Sequence, residues 1–159
     1  MNLLKLLRFL QLISTGLVAG VLFGDRWSTS SVRANLPLDC FIQLQQGVHL
    51  NMVPLMPVMM GVAILSGIVS LWVLRRDYHT WQFRLTLLAT LCLVAVLVQT
   101  RIINVPINDE LMTWQASQPP RDLRQIWSRW EYSHTIRTIV SLVGFAALAL
   151  IPGTVNRKP

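Results

Sequence analysis

The stretch WSRWEYSHTIRT, residues 127–138, places side chains suited to acid–base chemistry directly before a hydrophobic segment. His134 could accept a proton, because a histidine side chain titrates near neutrality. Arg137, one helical turn further on, could stabilise an oxyanion. On a helix, offsets of 3, 4, 3 and 4 give one face to Trp127, Trp130, His134, Arg137 and Ser141. We therefore predict His134 and Arg137 as catalytic residues. The alternative for His134 is a structural hydrogen bond between helices.

Further polar residues stand near the ends of two other hydrophobic segments. Arg101, Asn104 and Asn108 are 3 and 4 positions apart, so a helix would put them on one face. His49 stands in the stretch QQGVHLNMVPLMP, ahead of another hydrophobic segment. We expect a substrate-binding pocket to be lined by Asn104, Asn108, Trp130, Arg101 and His49. The simpler alternative is that the asparagines only join helices through hydrogen bonds.

Arg101 and Arg137 both stand beside hydrophobic runs rather than in polar loops. An arginine at the centre of a bilayer costs about 2.5–3.5 kcal/mol on insertion scales, and a partner is favoured even near the interface. Both guanidinium groups are therefore expected to face a polar pocket. The candidate partners on the same side are Asp109, Glu110 and Glu131.

No metal site is predicted, because the three histidines are spread over three segments and no CxxC pair is present. The stripe of Met52, Met56 and Met59 is interpreted as packing, with a copper site that includes His49 as the alternative. Trp114 and Trp127 are interpreted as anchors at a membrane interface.

The segments that must position these residues have the composition of a membrane protein. The chain is 53% hydrophobic and only 13% charged, whereas globular domains carry about 25% charged residues. A net charge of +7 would suggest nucleic acid in a soluble protein. In a membrane protein the positions of the charges matter more than their sum, so the expected partner is membrane lipid and not nucleic acid.

Four hydrophobic segments predict membrane-spanning helices, at about 3–23, 53–74, 85–104 and 134–152. Roughly 20 apolar residues span a bilayer as a helix. The first segment is interpreted as a permanent span rather than a signal peptide, because it is long and no convincing cleavage site follows it. Pro106 is predicted to end or kink the third helix.

The expected fold is thus a single all-α integral membrane domain over residues 1–159. It is a bundle of four transmembrane helices, with a short amphipathic segment before the second span and a Trp-rich loop before the fourth.

The distribution of basic residues predicts cytoplasmic amino and carboxyl termini. Each side of a four-span protein would carry seven basic residues. On one side they face a single acid, Asp77, and LRR at 74–76 abuts the second span. On the other side they lie mostly in a long loop among six acids. The first side is therefore interpreted as cytoplasmic, which puts the polar candidates at the outer face.

The order of several motifs resembles the anthrone oxygenase-like family of small four-helix membrane proteins. The motifs are TGLVAGVLFG in the first span, QQGVHLNMVPLMP before the second, NVPIND closing the third and W-x-x-W…H-x-x-R-T opening the fourth. The resemblance implies an oxygenase that converts a reduced aromatic such as an anthrone to a quinone, without metal or flavin cofactor. The matching positions are Asn104, Asn108, Trp130, His134 and Arg137.

Two functions remain open at this point. One is a cofactor-independent oxygenase or oxidoreductase acting on a reduced aromatic or quinol-like substrate at the outer face. The other is a non-catalytic membrane protein, either an accessory subunit of a larger complex or a binder of lipid or pigment. Oxygen consumption by the purified protein would separate them, and the sequence alone leaves enzymatic activity uncertain.

Overall fold

The computed structural model describes residues 2–151, and this part of the chain is helical and contains no β-strand. The helices are α1 (Leu3–Gly24), α2 (Ser30–Arg33), α3 (Leu38–Val73), α4 (Trp81–Gln99), α5 (Val105–Leu111) and α6 (Leu123–Ala149). A π-helical turn, Asp25–Thr29, joins α1 to α2, and another, Thr100–Asn104, joins α4 to α5. A 3₁₀ turn, Arg75–Asp77, follows α3. The predicted all-α fold is confirmed.

Two helices begin at side-chain caps that the sequence supplies. The Asn2 side chain accepts a hydrogen bond from the backbone N–H of Lys5 (3.0 Å), and Thr80 Oγ1 accepts one from the backbone N–H of Phe83 (3.3 Å). Such caps satisfy amide donors that have no partner inside the first turn of a helix.

Four long helices pack in a ring. Helix α1 lies between α3 and α6, and α4 completes the ring by packing on α3 and α6. An apolar core fills the middle of the ring, built from Val18, Leu22, Met60, Ala63, Leu93 and Val96. Met56 and Met59 pack against this core, in agreement with the packing interpretation of the methionine stripe.

Among residues 2–151, three helical rods are long and apolar enough to cross a membrane, namely Leu3–Arg33, Leu38–Val73 and Trp81–Leu111. Helix α6 has 27 residues but is not among them, because its first half carries arginines, a glutamate and a histidine. The predicted fourth crossing therefore stays a prediction. Its last residue, 152, and the carboxyl terminus lie outside the described residues.

The polarity of the bundle is inverted relative to a water-soluble protein. Large apolar side chains point outward, as at Leu17, Val58, Leu65, Leu91 and Ile139, each more than half exposed. Buried polar side chains occupy the interior, including Gln11, Thr15, Ser70, Thr86, Asn104 and Ser141. Helices in lipid associate through small and polar residues because lipid is itself apolar. This distribution indicates a membrane protein.

Two predicted features are wrong in their details. The amphipathic segment and the second span form one 36-residue helix, which runs through Pro54 and Pro57. Each proline removes one backbone donor, but its fixed φ is compatible with a helix, and apolar residues on both sides continue the rod. Pro106 likewise does not end its helical rod, because it lies in the first turn of α5, where a missing N–H is tolerated. A kink at Pro106 stays a prediction.

The predicted Trp-rich loop is largely helical. Helix α6 begins at Leu123, so Trp127 and Trp130 lie within it. The spacing of its polar face already follows a helical repeat well before the apolar run begins. Of these tryptophans only Trp114 belongs to the connection between α5 and α6, and its side chain is buried.

Candidate functional site

One end of the bundle contains a largely buried group of ionisable side chains, here called the ionic cluster: Asp25, Arg33, Glu131, His134 and Arg137. Asp25 opens the π-helical turn after α1, and Arg33 ends α2. The other three residues lie on α6 at offsets of 3 and 3, so they share one face of that helix. Arg33 and His134 are each 2% exposed and Arg137 is 7% exposed.

Arg33 joins the two carboxylates of the ionic cluster. Its Nη1 and Nη2 donate to the two oxygens of Asp25 at 2.6 and 3.0 Å, and Nη2 also donates to Glu131 Oε1 at 2.9 Å. Ser30 Oγ donates to the second oxygen of Glu131 at 3.0 Å. Forked pairing of this kind compensates for removing the charges from water, and it ties α2 to α6.

His134 lies between a carboxylate and a guanidinium. Its Nε2 is 3.1 Å from Asp25 Oδ2 and 3.2 Å from the backbone oxygen of Leu22. Its Nδ1 is 2.9 Å from Arg137 Nη2. Because an arginine can only donate, Nδ1 must accept and the ring proton must be on Nε2. The network therefore assigns a neutral imidazole that Asp25 orients and that keeps a lone pair on Nδ1.

The Arg137 guanidinium has a hydrogen-bond donor that is not used by the described residues. Its Nη1 donates to Thr100 Oγ1 at 3.1 Å, and no carboxylate among residues 2–151 lies within salt-bridge distance of it. Its Nε is buried and finds no hydrogen-bond partner in that range. A buried guanidinium with an unused donor can hold an anionic group of a ligand.

The asparagines predicted to bind substrate join α6 to the neighbouring elements, Asn104 from the π-helical turn Thr100–Asn104 and Asn108 from α5. Trp130 Nε1 donates to Asn108 Oδ1 at 2.8 Å, and Ser133 Oγ donates to Asn104 Oδ1 at 2.7 Å. Gln99 Nε2 reaches both the hydroxyl (3.0 Å) and the backbone oxygen (3.1 Å) of Ser133. In the structure these amides hold the face of α6 that presents His134.

An aromatic stack covers the same face. The rings of Trp127 and Trp130 are 4.6 Å apart and nearly parallel, and Trp130 stacks on His134 at 4.7 Å. Arg33 lies 5.4 Å from the Trp130 ring centre and Arg137 lies 5.9 Å from it, within range of a cation–π interaction. Trp127 therefore packs on the site while remaining partly exposed, so its role as an interface anchor stays a prediction. Trp114 is buried beside Phe41, which does not fit the predicted anchor.

The structure brings together five of the seven predicted site residues: His134, Arg137, Asn104, Asn108 and Trp130. Arg101 is exposed and His49 is half-buried, and neither makes a side-chain hydrogen bond or ion pair to the described residues. The polar pocket expected around Arg101 is not found, because the π-helical turn directs Thr100 and Asn104 inward and leaves Arg101 outside. Asp109 and Glu110 are exposed, and Glu131 pairs with Arg33 instead of Arg137.

Sequence reasoning missed Asp25 and Arg33. They are eight positions apart, a spacing that belongs to one helical stripe. They follow the first apolar segment, however, and lie outside the stretch that carries the other candidate residues. The only signal was a carboxylate placed directly after a span, which the Arg33 and His134 contacts explain.

The fold and the site define a helical membrane protein whose buried ionic cluster centres on a neutral histidine between a carboxylate and an arginine. The family model described as anthrone oxygenase matches residues 51–147, well over half of the chain. The protein belongs to the anthrone oxygenase family, which confirms the resemblance seen in the motifs. No match is found among curated proteins or among solved structures. The matched range includes His134 and Arg137, whereas Asp25 and Arg33 precede it.

Proposed function

We propose that the protein is a membrane oxygenase that uses dioxygen to oxidise a reduced aromatic, such as an anthrone, to a quinone without metal or flavin. Family membership supports the reaction class. The observation that carries the proposal is the chain of contacts from Asp25 through His134 to Arg137, at 3.1 and 2.9 Å. It pairs an oriented base with a cation beside it.

In the proposed reaction a ring CH₂ group and O₂ give a ring C=O group and water. The CH₂ first loses a proton, and the resulting carbanion is delocalised onto the substrate carbonyl oxygen. Dioxygen adds to the carbanion carbon, and the peroxide formed is protonated. Loss of water from the hydroperoxide then gives the quinone, so dioxygen is the oxidant and supplies both the new carbonyl oxygen and the oxygen of water.

His134 is proposed as the base for the first step. Its Nδ1 takes the substrate proton, and Asp25 stabilises the imidazolium through Nε2–H. Arg137 Nη2 must leave Nδ1 for this to happen, and it then donates to the substrate oxyanion together with its buried Nε. With two arginines, two carboxylates and a neutral His134 the ionic cluster has no net charge, so the proton it takes from the substrate makes it +1 beside a substrate anion of −1.

The remaining predicted residues are assigned supporting roles. Trp130 would offer its ring to an aromatic substrate, and Asn104 and Asn108 would hold α6 in register. Binding of substrate by Arg101 and His49 stays a prediction. We also propose that α6 completes a four-span bundle with both termini cytoplasmic, with the ionic cluster at the outer face and membrane lipid as surroundings.

Oxygen uptake by the purified protein with a reduced anthrone tests the activity, after subtraction of the rate without protein. His134→Gln retains a donor toward Asp25 but removes the Nδ1 lone pair, so kcat should fall by at least about 100-fold, the usual contribution of a general base. His79→Gln, an exposed histidine at the other end of the bundle, is the matched control and should retain wild-type kcat.

Two results would contradict the proposal. Undiminished turnover in His134→Gln would exclude His134 as the base. No oxygen uptake by the wild type across reduced aromatics and quinols, together with co-purification of a larger membrane assembly, would favour the non-catalytic subunit.

A further inference from the structure

A groove of about 350 Å³ lies between the end of α1 and the middle of α6, on the outward surface of the bundle. It is lined on one side by Phe23, Arg26 and Trp27 and on the other by Thr135, Thr138 and Ile139. The groove is separate from the ionic cluster. Its volume is at the lower end of the range for small-molecule sites, so it suits a compact ligand.

One wall of the groove is a flat aromatic surface. The rings of Phe23 and Trp27 are 5.7 Å apart and 14° from parallel. Both side chains face outward, Trp27 with 77% exposure. Ile139 on the opposite wall is also largely exposed and apolar. A planar aromatic body can stack on such a surface in an offset arrangement.

The cation in the groove has two free donor nitrogens. Arg26 Nε donates to Thr135 Oγ1 at 2.9 Å, which fixes the guanidinium against α6. Its two terminal nitrogens make no hydrogen bond to residues 2–151, and no carboxylate in that range lies within 4 Å. A fixed, planar guanidinium with a free edge matches a carboxylate or another acidic oxygen group.

The groove adjoins the ionic cluster. Thr138, which lines the groove, has its Oγ1 3.4 Å from the backbone oxygen of Leu22, and His134 Nε2 lies 3.2 Å from the same oxygen. Arg26 directly follows Asp25 in the π-helical turn. A ligand in the groove is therefore one side-chain layer from His134.

We propose that this groove is a docking site for a planar aromatic ligand with an acidic group, which arrives from the lipid and binds before it reaches the ionic cluster. The ring system stacks on Phe23 and Trp27, and the acidic oxygen group binds Arg26. That this ligand is the substrate rests on the proposed function, whereas its binding does not.

Binding of anthraquinone-2-carboxylate to the full-length protein in neutral detergent micelles tests the docking site without requiring turnover. The neutral 2-hydroxymethylanthraquinone is the matched ligand. The acid should bind at least about tenfold more tightly, since a hydrogen bond to a charged group is worth more than one to a neutral group. Arg26→Gln should abolish this preference, whereas Arg124→Gln, an exposed arginine outside the groove, should preserve it.

A second pair of variants tests the position of the ring. Ile139→Trp fills the groove and should weaken binding of both quinones at least about tenfold, the loss expected from blocking an apolar contact of this size. Val143→Trp adds the same bulk one turn further along α6, at an exposed residue that does not line the groove, and should leave both affinities unchanged.

The outcomes separate the two proposals. An unchanged preference for the acid in Arg26→Gln, or unchanged binding in Ile139→Trp, overturns the docking site even if His134→Gln lacks activity. Equal binding of acid and neutral quinone, with phosphatidylglycerol displacing both, makes the groove a phospholipid headgroup site and also overturns it. If Arg26→Gln loses the preference for the acid and Ile139→Trp loses binding as expected, but no reduced aromatic is oxidised, the docking site stands and the oxygenase proposal fails. If oxidation occurs, Arg26→Gln should raise KM for acidic substrates without lowering kcat.

Discussion

Arg33 is the residue that holds the ionic cluster together. It bonds to both oxygens of Asp25 and to Glu131, with its own side chain 1% exposed. Its contact with Asp25 keeps the carboxylate where it can reach His134. Arg33 is thus a positioning residue, since it touches the histidine only through Asp25.

Replacing Arg33 by Met is expected to destabilise the protein, because it leaves two partly buried carboxylates without their cation. Breaking a buried ion pair costs about 3–5 kcal/mol. The lower end is expected here, since the side chains of Asp25 and Glu131 retain 20% and 21% exposure. Equilibrium unfolding in mixed micelles measures the change. Arg121→Met, an exposed arginine before α6, should change the free energy of unfolding by less than about 0.5 kcal/mol, and equal effects of the two substitutions would contradict the assigned role.

Residue spacing predicted only part of the site. His134, Arg137 and Trp130 share a helical repeat within one short stretch, and their proximity follows from local geometry. Asp25 and Arg33 belong to a different helix. Their contact with His134 depends on how α1 packs on α6, and no local pattern contains that information. Arg101 was misplaced because the π-helical turn changes which residues face inward.

At the scale of elements, the two π-helical turns both supply the site. One begins with Asp25, and the other contains Thr100 and Asn104. Such turns are rare and are frequent at functional sites. Here each turn continues a long rod while redirecting its side chains. This explains why the sequence predicts the apolar stretches that form α1 and α4, whereas the extensions of these rods to Arg33 and Leu111 were not predicted.

Gly67 on α3 marks a close approach of three helices. A Cβ atom at this position would meet Thr90 Oγ1 and Gln11 Nε2 closer than real Cβ atoms approach, and these two groups hydrogen-bond to each other at 3.1 Å in the buried interior. Small residues allow helices in lipid to pack this tightly. The contact thus links α1, α3 and α4.

Gly67→Ala is therefore expected to destabilise the protein by about 1–3 kcal/mol, the usual effect of overpacking. Gly61→Ala on the same helix has nothing within 4 Å of its Cβ. It should be neutral or stabilise the protein by up to about 1 kcal/mol, since alanine favours helix. Thermal unfolding of the two variants in the same detergent measures the difference. If Gly67→Ala were as stable as Gly61→Ala, the three helices would not meet at that residue.

At the scale of the whole molecule, composition predicted the membrane class because that property sums over many residues. Helix α6 also carries exposed apolar residues, such as Ile139 and Val143, but its crossing of the membrane stays a proposal. The first half of the helix weakens its apolar signal because the ionic cluster requires polar residues there. Helix α6 thus carries both the polar residues of the site and apolar residues that are suited to contact with lipid.

Cysteine labelling tests the four-span arrangement. In a background of Cys40→Ser and Cys92→Ser, single substitutions place a thiol before α6 (Ser117→Cys), between α3 and α4 (His79→Cys) and beyond the described residues (Asn156→Cys). An impermeant maleimide should label only Ser117→Cys in intact cells and all three after permeabilisation. Labelling of Asn156→Cys in intact cells alongside Ser117→Cys would show that α6 does not cross.

The inverted polarity of the bundle has a consequence for the supply of reactants. Dioxygen and polycyclic aromatics both partition from water into hydrocarbon, so the bilayer would concentrate both against the outward surface that carries Phe23, Trp27 and Ile139. Water, the by-product of the proposed reaction, partitions the other way, and the carboxylate end of the ionic cluster, where Asp25 and Glu131 are about one-fifth exposed, would offer it a route out. The substrate and dioxygen would thus enter from the lipid and water would leave toward the aqueous phase, with the protein between the two routes.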